Sequence, residues 1–282
     1  LNVSGIDPNL DTIWYSVNNV NITLQNNTLQ PLNDTIWAGL SEGSFTIEFY
    51  ANDTFGYSSN CVNLTLIKDT ILPLITVNSP ANSTYYSEAP DMNITMSDSN
   101  LDTIWYTVNG MGTKVILSGV QTFDPDIWAG LGQGSFQINI FANDTAGNVN
   151  GSIILTLYKD TVAPLVIINL PLNNTHMKSN FNVSVTAYDP NPVTIWYEVY
   201  QVFFFTPVFL SNNTEEFFHN FIWSALLNDS FFVDVFAEDS LGNNDSIRLT
   251  LHKDTIKPKV DIILPQPNDI YGDIAPGFNV NI

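Results

Sequence analysis

Apolar and polar residues alternate along most of this chain. Met92, Ile94 and Met96 alternate with polar neighbours, and the segment 136–142 repeats the pattern from Phe136 onward. A spacing of two is the period of a strand with one buried face, and no segment shows a sustained helical period. Clusters of Gly, Asn, Asp and Pro separate the alternating segments. The pattern therefore predicts an all-β protein with predominantly antiparallel strands.

The alternation also assigns the residues expected to face the core. In the segments 75–157 and 166–251 these inward sets are Ile75 and Val77; Met92, Ile94 and Met96; Ile104, Tyr106 and Val108; Phe136, Ile138, Ile140 and Ala142; Ile153, Leu155 and Leu157; Val166, Ile168 and Leu170; Phe181, Val183 and Val185; Ile195, Tyr197 and Val199; Phe231, Val233 and Val235; and Ile247, Leu249 and Leu251.

A repeat of about ninety residues organises the chain. Asp-Thr-Ile-Trp-Tyr occurs at residues 11–15 and 102–106, and Thr-Ile-Trp-Tyr occurs at 194–197. Each unit has the size of an immunoglobulin-like sandwich. The period predicts repeat 1 at 1–72, which lacks its first strand, repeat 2 at 73–163, repeat 3 at 164–257 and the start of repeat 4 at 258–282. We expect flanking chain to complete both ends, with strand exchange between copies as the alternative.

The junctions between these repeats are short, and each ends in a proline. They read Lys-Asp-Thr-x-x-Pro at residues 68–73, 159–164 and 253–258, and they contain no glycine. Proline fixes its own φ angle and restricts the residue before it. The predicted architecture is therefore a linear rod of tandem antiparallel immunoglobulin-like β-sandwiches.

An apolar run at residues 202–210 distinguishes repeat 3. One interpretation is a longer hairpin that covers a sandwich edge, with Pro207 and Asn212 limiting aggregation. The other is a docking patch for a neighbouring repeat or chain.

Charge and cysteine usage narrow the function classes. The formal net charge of the chain is -20, with 8 Lys and Arg against 28 Asp and Glu, so a phosphate-binding nucleic-acid protein is excluded. Cys61 is the single cysteine, which rules out an internal disulfide and predicts a structural thiol. No apolar run reaches the roughly eighteen residues of a membrane span. An anchor or export signal is therefore expected outside this stretch.

Asn-x-Ser/Thr sequons are more frequent than chance predicts. The 35 Asn and 46 Ser plus Thr, arranged at random, would give about six. Turn-rich β proteins favour these residues, which explains the composition better than the pairing. The excess predicts an exported, N-glycosylated chain. The fifteen sequons begin at Asn2, Asn21, Asn26, Asn33, Asn52, Asn63, Asn82, Asn93, Asn143, Asn150, Asn173, Asn182, Asn212, Asn228 and Asn244.

Three motifs give the chain a family resemblance. They are Gly-Ser-Phe-Gln-Ile at 134–138, Ala-Asn-Asp-Thr-Ala-Gly-Asn at 142–148 and Asp-Thr-Val-Ala-Pro at 160–164. They resemble the bacterial-type immunoglobulin-like repeats of prokaryotic surface proteins. The added elements Ile-Trp-Tyr, Ile-Trp-Ala-Gly-Leu, Phe-Ala-Asn-Asp and Lys-Asp-Thr most closely resemble the tandem repeats in large surface proteins of archaea. Tyr57 and Glu238 depart from the turn motif. The resemblance implies a spacer, an adhesin stalk or an envelope component, and no enzyme.

Catalytic and zinc motifs are missing from the sequence. His176, His219 and His252 show no metal-ligand spacing, and no phosphate-binding loop follows a strand. The carboxylates Glu215 and Glu216 belong to a polar loop. We therefore expect no enzyme activity and no organic cofactor.

Six tryptophans fall into two sets. Alternation places Trp14, Trp105 and Trp196 opposite the core-facing residues, where each can pair with an outward aromatic on the neighbouring strand. These candidate contact pairs are Trp14 with Tyr50, Trp105 with Phe141 and Trp196 with Phe236. The alternative is that sheet twist buries the tryptophans. The second set, which we expect in the core, is Trp37, Trp128 and Trp223.

Recurring aspartates suggest calcium as a ligand, since hard cations prefer several oxygen donors. The alternative is that each turn aspartate bonds only its own backbone. The candidate ligands are the junction residues Asp69, Asp160 and Asp254 and the turn residues Asp53, Asp144 and Asp239.

These observations predict a non-catalytic structural segment of an exported, N-glycosylated cell-surface or extracellular protein, such as an envelope, stalk or filament component. Its expected partners are neighbouring copies or flanking repeats of the same chain. The alternative is an adhesin or glycan-binding module that contacts surface glycans or proteins through the outward aromatics.

Overall fold

The computed structural model describes residues 1–201 and 206–281. Strands dominate these residues, and the helices among them are three segments of six residues each, so the prediction of an all-β protein is confirmed. In chain order the elements are β1 (Leu10–Val17), β2 (Val20–Leu24), α1 (Asp34–Gly39), β3 (Gly43–Asp53), β4 (Val62–Lys68), β5 (Leu74–Ser79), β6 (Tyr85–Tyr86), β7 (Asp91–Ser97), β8 (Leu101–Val108), β9 (Val115–Ile116), β10 (Gln121–Thr122), α2 (Pro125–Gly130), β11 (Gly134–Asp144), β12 (Val149–Lys159), β13 (Leu165–Leu170), β14 (His176–Met177), β15 (Asn182–Tyr188), β16 (Val193–Tyr200), β17 (Val208–Leu210), β18 (Thr214–Phe217), α3 (Asn220–Ala225), β19 (Ser230–Asp239), β20 (Asn244–Lys253), β21 (Asp261–Leu264) and β22 (Asn279–Asn281).

Contacts divide the chain into two compact units. One comprises residues 1–81, 91–122 and 137–155, and the other comprises residues 82–90, 123–136 and 156–282. The repeat boundaries at 72, 163 and 257 remain predictions from the sequence.

The first unit contains the antiparallel sheet β2-β1-β3-β4. One face of this sheet is buried, because Ile13, Tyr15, Val17 and Ile47 form a core cluster with Leu24 and Leu40. The unit also contains the antiparallel sheet β10-β7-β5. The strand β8 pairs with β9 and with residues 138–144 of β11.

The second unit shows how two sheets share one core. It contains the sheets β13-β15-β18 and β14-β20-β19-β16-β17. Residues from both sheets, including Val166, Val185, Tyr197 and Val235, belong to a single buried cluster. Two largely antiparallel sheets packed around a shared core make an immunoglobulin-like sandwich. The sheets β10-β7-β5 and β6-β12-β11-β8-β9 repeat the same three-plus-five strand order.

The inward sets are buried as predicted in most strands. In β19, for example, Phe231, Val233 and Val235 are between 0% and 2% exposed. The prediction that Leu170 faces the core is wrong, because this residue is 39% exposed. The pairing of β13 with β15 shifts register between Ile168 and Leu170, and such an irregularity turns the next side chain away from the buried face.

The apolar run of repeat 3 ends in an edge strand. Val208–Leu210 forms β17 and pairs with β16, and Phe209 is 63% exposed. This agrees with the hairpin interpretation. Residues 202–205 of the run lie outside the described residues, so its role in docking stays a prediction.

Three short helices lie between the strands, although no segment of the sequence shows a sustained helical period. Each spans six residues, fewer than two turns, so a period of 3.6 has no room to show. Asn33 caps α1 and Asp124 caps α2 through their side-chain oxygens. Each helix carries one tryptophan of the second set. Trp37 was expected in the core, but it is 39% exposed because α1 lies at the surface.

A lysine from each junction closes the C-terminal end of each helix. The Lys159 ammonium donates to the carbonyl oxygens of Trp128 and Leu131 at 2.8 and 2.9 Å and lies 5.0 Å from the Trp128 ring centroid. A helix end leaves carbonyls without intrahelical donors, and a cation there satisfies them. Lys68 makes the same bonds to Trp37 and Leu40, and Lys253 makes them to Trp223 and Leu226.

We predict that Lys159→Met lowers the free energy of unfolding by about 1–3 kcal/mol, because methionine fills the space but leaves two carbonyls without a donor. Urea denaturation followed by tryptophan fluorescence, with hydrogen exchange of residues 125–131, measures the effect. Lys178→Met is the control, since Lys178 is exposed. Equal unfolding midpoints for the two variants would contradict the prediction.

Candidate functional site

Three aspartates meet in each of two clusters. In the first acid cluster, Asp69 follows β4, Asp98 lies in the turn between β7 and β8, and Asp144 ends β11. One carboxylate oxygen of each residue lies within 4.8 Å of the others. The second acid cluster consists of Asp160, Asp189 and Asp239, and one carboxylate oxygen of each residue again lies within 4.8 Å of the others.

Two of the three acids in the second acid cluster are buried, and two asparagines hold the cluster. Asp160 and Asp239 are each 5% exposed. The amide of Asn191 donates to Asp160 Oδ2 at 2.6 Å. The amide of Asn243 donates to Asp239 Oδ2 at 2.8 Å and to the Asp160 carbonyl oxygen at 3.2 Å. The asparagines therefore tie the junction aspartate to the turn.

The first acid cluster repeats this network. Asn100 Nδ2 donates to Asp69 Oδ2 at 2.7 Å. Asn148 Nδ2 donates to Asp144 Oδ2 at 2.7 Å and to the Asp69 carbonyl oxygen at 3.2 Å. Asp144 is only 1% exposed. Each cluster lies within one compact unit.

A local turn positions the turn aspartate. Asp239 Oδ1 accepts the backbone N–H groups of Leu241 and Asn243 at 2.8 and 2.9 Å. Gly242 has a φ of 89°, a conformation that glycine adopts without strain. The turn aspartate thus bonds its own backbone, as the alternative to calcium binding expected, and also contributes a carboxylate to the cluster.

The clusters concentrate negative charge. Burial raises the pKa of Asp189, and the carboxylates of Asp160 and Asp239 raise it further. For Asp144, burial acts to raise the pKa, but hydrogen bonds from Asn148, Gly147 and Ala146 hold it below its usual value. The nearest lysine in sequence, Lys159, directs its ammonium to the carbonyls of α2 instead. Among the residues that the structure describes, no salt bridge reaches Asp160, Asp189 or Asp239.

Sequence reasoning found four of the six clustered acids. Asp53 and Asp254 were also candidates, but neither belongs to an acid cluster of the described residues. Asp98 and Asp189 were missed. Both begin an Asp-x-Asn turn just before the Ile-Trp-Tyr strand, and the same turn occurs at residues 7–9. That recurrence was the available signal, and the assignment of all these residues to calcium stays a prediction.

The aromatic pairs stack as the outward arrangement expected. Ring centroids are 5.5 Å apart in Trp14–Tyr50, 5.5 Å in Trp105–Phe141 and 5.3 Å in Trp196–Phe236. Trp14 and Trp196 are half-buried. Trp105 is only 9% exposed, and the Lys114 ammonium lies 4.4 Å from its ring centroid. This ring is therefore covered.

All fifteen sequon asparagines lie at least partly at the surface. Ten are exposed, and the five that are half-buried are Asn52, Asn93, Asn143, Asn150 and Asn182. Cys61 is exposed as well, and its Sγ lies 2.8 Å from Asn63 Oδ1. Within residues 1–201 and 206–281, no helix has the length and apolar character needed to cross a membrane.

No family model matches the chain, and no curated protein matches it. Solved structures with a similar fold include a 1.5-MDa bacterial ice-binding adhesin, at 17% identity over 86% of this chain and 85% of that one, with a TM-score of 0.40. A Ca²⁺-stabilized adhesin of an Antarctic bacterium shows 15% identity over 93% of this chain and 70% of that one, with a TM-score of 0.36. Fibronectin(III)-like modules of Clostridium thermocellum CbhA show 12% identity over 66% of this chain and 98% of that one, with a TM-score of 0.35. The immunoglobulin-like assignment rests on this chain's own sheets.

We predict that Asp189→Asn stabilises the protein in the presence of a chelator at pH 7–8. A raised pKa means that the folded state holds the charged form at a cost, and that this cost disappears as the pH falls through the raised pKa. The melting temperature of the variant should therefore exceed that of the parent at neutral pH, and the difference should close on acidification.

Thermal melting across pH in EDTA measures this difference. Asp245→Asn, which alters an exposed aspartate of β20, should show no such gap. A lower melting temperature for Asp189→Asn at neutral pH would disprove the charge argument.

Proposed function

We propose that this chain is a non-catalytic structural segment of an exported, N-glycosylated surface protein, in which successive repeats are held in order by calcium. The observation that carries the proposal is the recurrence of the acid cluster. Twice, an aspartate from a Lys-Asp-Thr junction lies beside two acids of the repeat that follows. An acid cluster that recurs at the same position of successive repeats suits a chain whose role is to set the spacing and orientation of its repeats.

The donor set fits calcium. Ca²⁺ takes six to eight oxygen ligands, drawn from carboxylates, carbonyls and waters. Each cluster offers three carboxylates, and the cluster acids include no sulfur or imidazole donor. Asp160, Asp189 and Asp239 would hold one ion, and Asp69, Asp98 and Asp144 would hold another. When bound, the ion supplies the positive charge that offsets the three carboxylates.

We predict that calcium raises the melting temperature and that chelation lowers it, since an ion that binds only the folded state adds stability. At a free concentration of one hundred times Kd, the gain is about 2.7 kcal/mol per site. Isothermal titration with CaCl₂ should give about two sites per chain, one for each cluster.

The matched variants are Asp160→Asn and Asp254→Asn. Both residues follow a junction lysine and accept a backbone N–H two residues on, but Asp254 is exposed and lies outside the clusters. Asp160→Asn should abolish one site, and Asp254→Asn should leave both. No heat of binding and identical melting in calcium and chelator would refute the calcium role.

Composition and architecture support the proposed location and role. An acidic chain with fifteen sequons and largely exposed asparagines suits an extracellular position, and short proline-containing junctions suit a rod-like envelope, stalk or filament component. Flanking repeats or neighbouring copies of the chain are its partners. The motif resemblance favours an archaeal surface protein as the parent.

A second role, glycan or protein binding, is favoured by the half-buried stacks Trp14–Tyr50 and Trp196–Phe236. Aromatic faces stack on sugars and on apolar side chains. For a spacing segment we predict no saturable binding on a glycan array. Saturable binding that Trp14→Ala or Trp196→Ala removes, and that Trp105→Phe retains because this ring is covered, would establish the binding role instead.

A further inference from the structure

Four exposed sequons share one local structure. Asn26, Asn82, Asn173 and Asn212 each begin an Asn-x-Thr triplet and are exposed. The middle residue has a φ of 55°, 61°, 63° and 58° respectively. Its N–H donates in every case to a backbone carbonyl elsewhere in the fold. The triplet sequence and the local backbone therefore do not distinguish these four asparagines as glycan acceptors.

Two of the four have a side-chain amide closed in a ring with one other residue. Asn26 Oδ1 accepts the Gly5 N–H at 3.0 Å, and Asn26 Nδ2 donates to the Gly5 carbonyl at 3.1 Å. Asn212 Oδ1 accepts the Ala187 N–H at 3.0 Å, and Asn212 Nδ2 donates to the Ala187 carbonyl at 2.9 Å. Because Oδ1 and Nδ2 both face the backbone of one residue, the hydrogen that Nδ2 donates is the one on the same side of the C–N bond as Oδ1.

The other two use only the oxygen of the amide. Asn82 Oδ1 accepts the Thr156 N–H at 2.8 Å, while the Thr156 carbonyl accepts the N–H of Ser83. Asn173 bonds Thr250 in the same way, also at 2.8 Å. Among the residues that the structure describes, neither Nδ2 has a hydrogen-bond acceptor. The protein thus fixes the amide oxygen and leaves the nitrogen to solvent.

Glycosylation changes the atom in which the two pairs differ. The new bond joins Nδ2 to C1 of a sugar, the bond from C1 to a lipid-linked phosphate breaks with its electron pair leaving on the phosphate, and Nδ2 loses one proton to a base of the transferase. A substituted amide prefers the trans form, which places C1 on the same side of the C–N bond as Oδ1. At Asn26 and Asn212, that position is occupied by the amide hydrogen that Nδ2 donates to the carbonyl oxygen of Gly5 or Ala187.

We propose that the folded chain accepts glycans at Asn82 and Asn173 and excludes them from Asn26 and Asn212. This rests on the proposed function, in which the protein is exported and N-glycosylated. A sugar at Asn82 or Asn173 leaves the bond from Thr156 or Thr250 intact. A sugar at Asn26 or Asn212 must first open the ring, so folding itself selects among sequons of equal sequence.

The test is glycan transfer to the folded, full 282-residue chain by an oligosaccharyltransferase with a lipid-linked oligosaccharide, followed by site-by-site glycopeptide mass analysis. Occupancy at Asn82 and Asn173 should exceed that at Asn26 and Asn212 by about tenfold or more, the scale set by the lost hydrogen bonds. Equal occupancy at all four sites overturns the proposal.

Unfolded peptides separate the ring from the local sequence. Peptides of residues 23–31 and 209–217 lack the partners Gly5 and Ala187, so they should accept sugar as readily as peptides of residues 79–87 and 170–178. Peptides 23–31 and 209–217 that refuse sugar overturn the proposal, because the triplets alone would then explain the pattern. The proposed function is tested separately: unmodified sequons in the native exported material reject glycosylation there, while the reaction on the folded chain still decides the selection among sites.

Discussion

The arrangement of each repeat end depends on the hydrogen bonds that the ammonium group of the junction lysine donates to the end of a helix. Lys159 reaches back to the Trp128 and Leu131 carbonyls, while the next residue, Asp160, donates its N–H to Tyr86 and directs its carboxylate to the second acid cluster. Successive residues of an extended chain point to opposite sides. Two adjacent side chains therefore do different work: the lysine ends a helix of its own repeat, and the aspartate joins acids that follow in the sequence.

The acid clusters pose an electrostatic problem, because the ion pairs among the described residues, Arg248–Asp234 and Lys259–Asp261, lie outside both clusters. Burying a charge is costly unless it is paired, and only 8 Lys and Arg accompany 28 Asp and Glu. Asn191 and Asn243 offset part of the cost by donating amide hydrogens to the carboxylates. Neutral amides leave the net charge unchanged. The raised pKa of Asp189 gives the direction of the remaining cost, because it favours the protonated, neutral form of that carboxylate.

Local patterns predicted most of the fold, and contacts between distant segments account for the rest. The alternation of Phe231, Val233 and Val235 is a property of one strand, and their burial followed from it. The six-residue helices were too short for their period to show, although Asn33 and Asp124 are ordinary caps. Asp98 and Asp189 were missed because a turn acid joins a cluster only when strand pairing brings a junction beside it. Trp105 is covered because β9 and Lys114 lie against it, which its own strand does not reveal.

The departure at Tyr57 distinguishes the two tasks of the Asp-x-x-Gly-Asn turn. In repeat 1, Asp53 Oδ1 accepts the N–H groups of Phe55 and Tyr57 at 2.9 and 2.8 Å. Asp239 makes the corresponding bonds to Leu241 and Asn243, so the turn forms with either tyrosine or asparagine at its last position. The asparagine amide is therefore not needed to make the turn. What Asn148 and Asn243 add is the bond to the carbonyl oxygen of Asp69 or Asp160, and that bond holds the junction against the acid cluster.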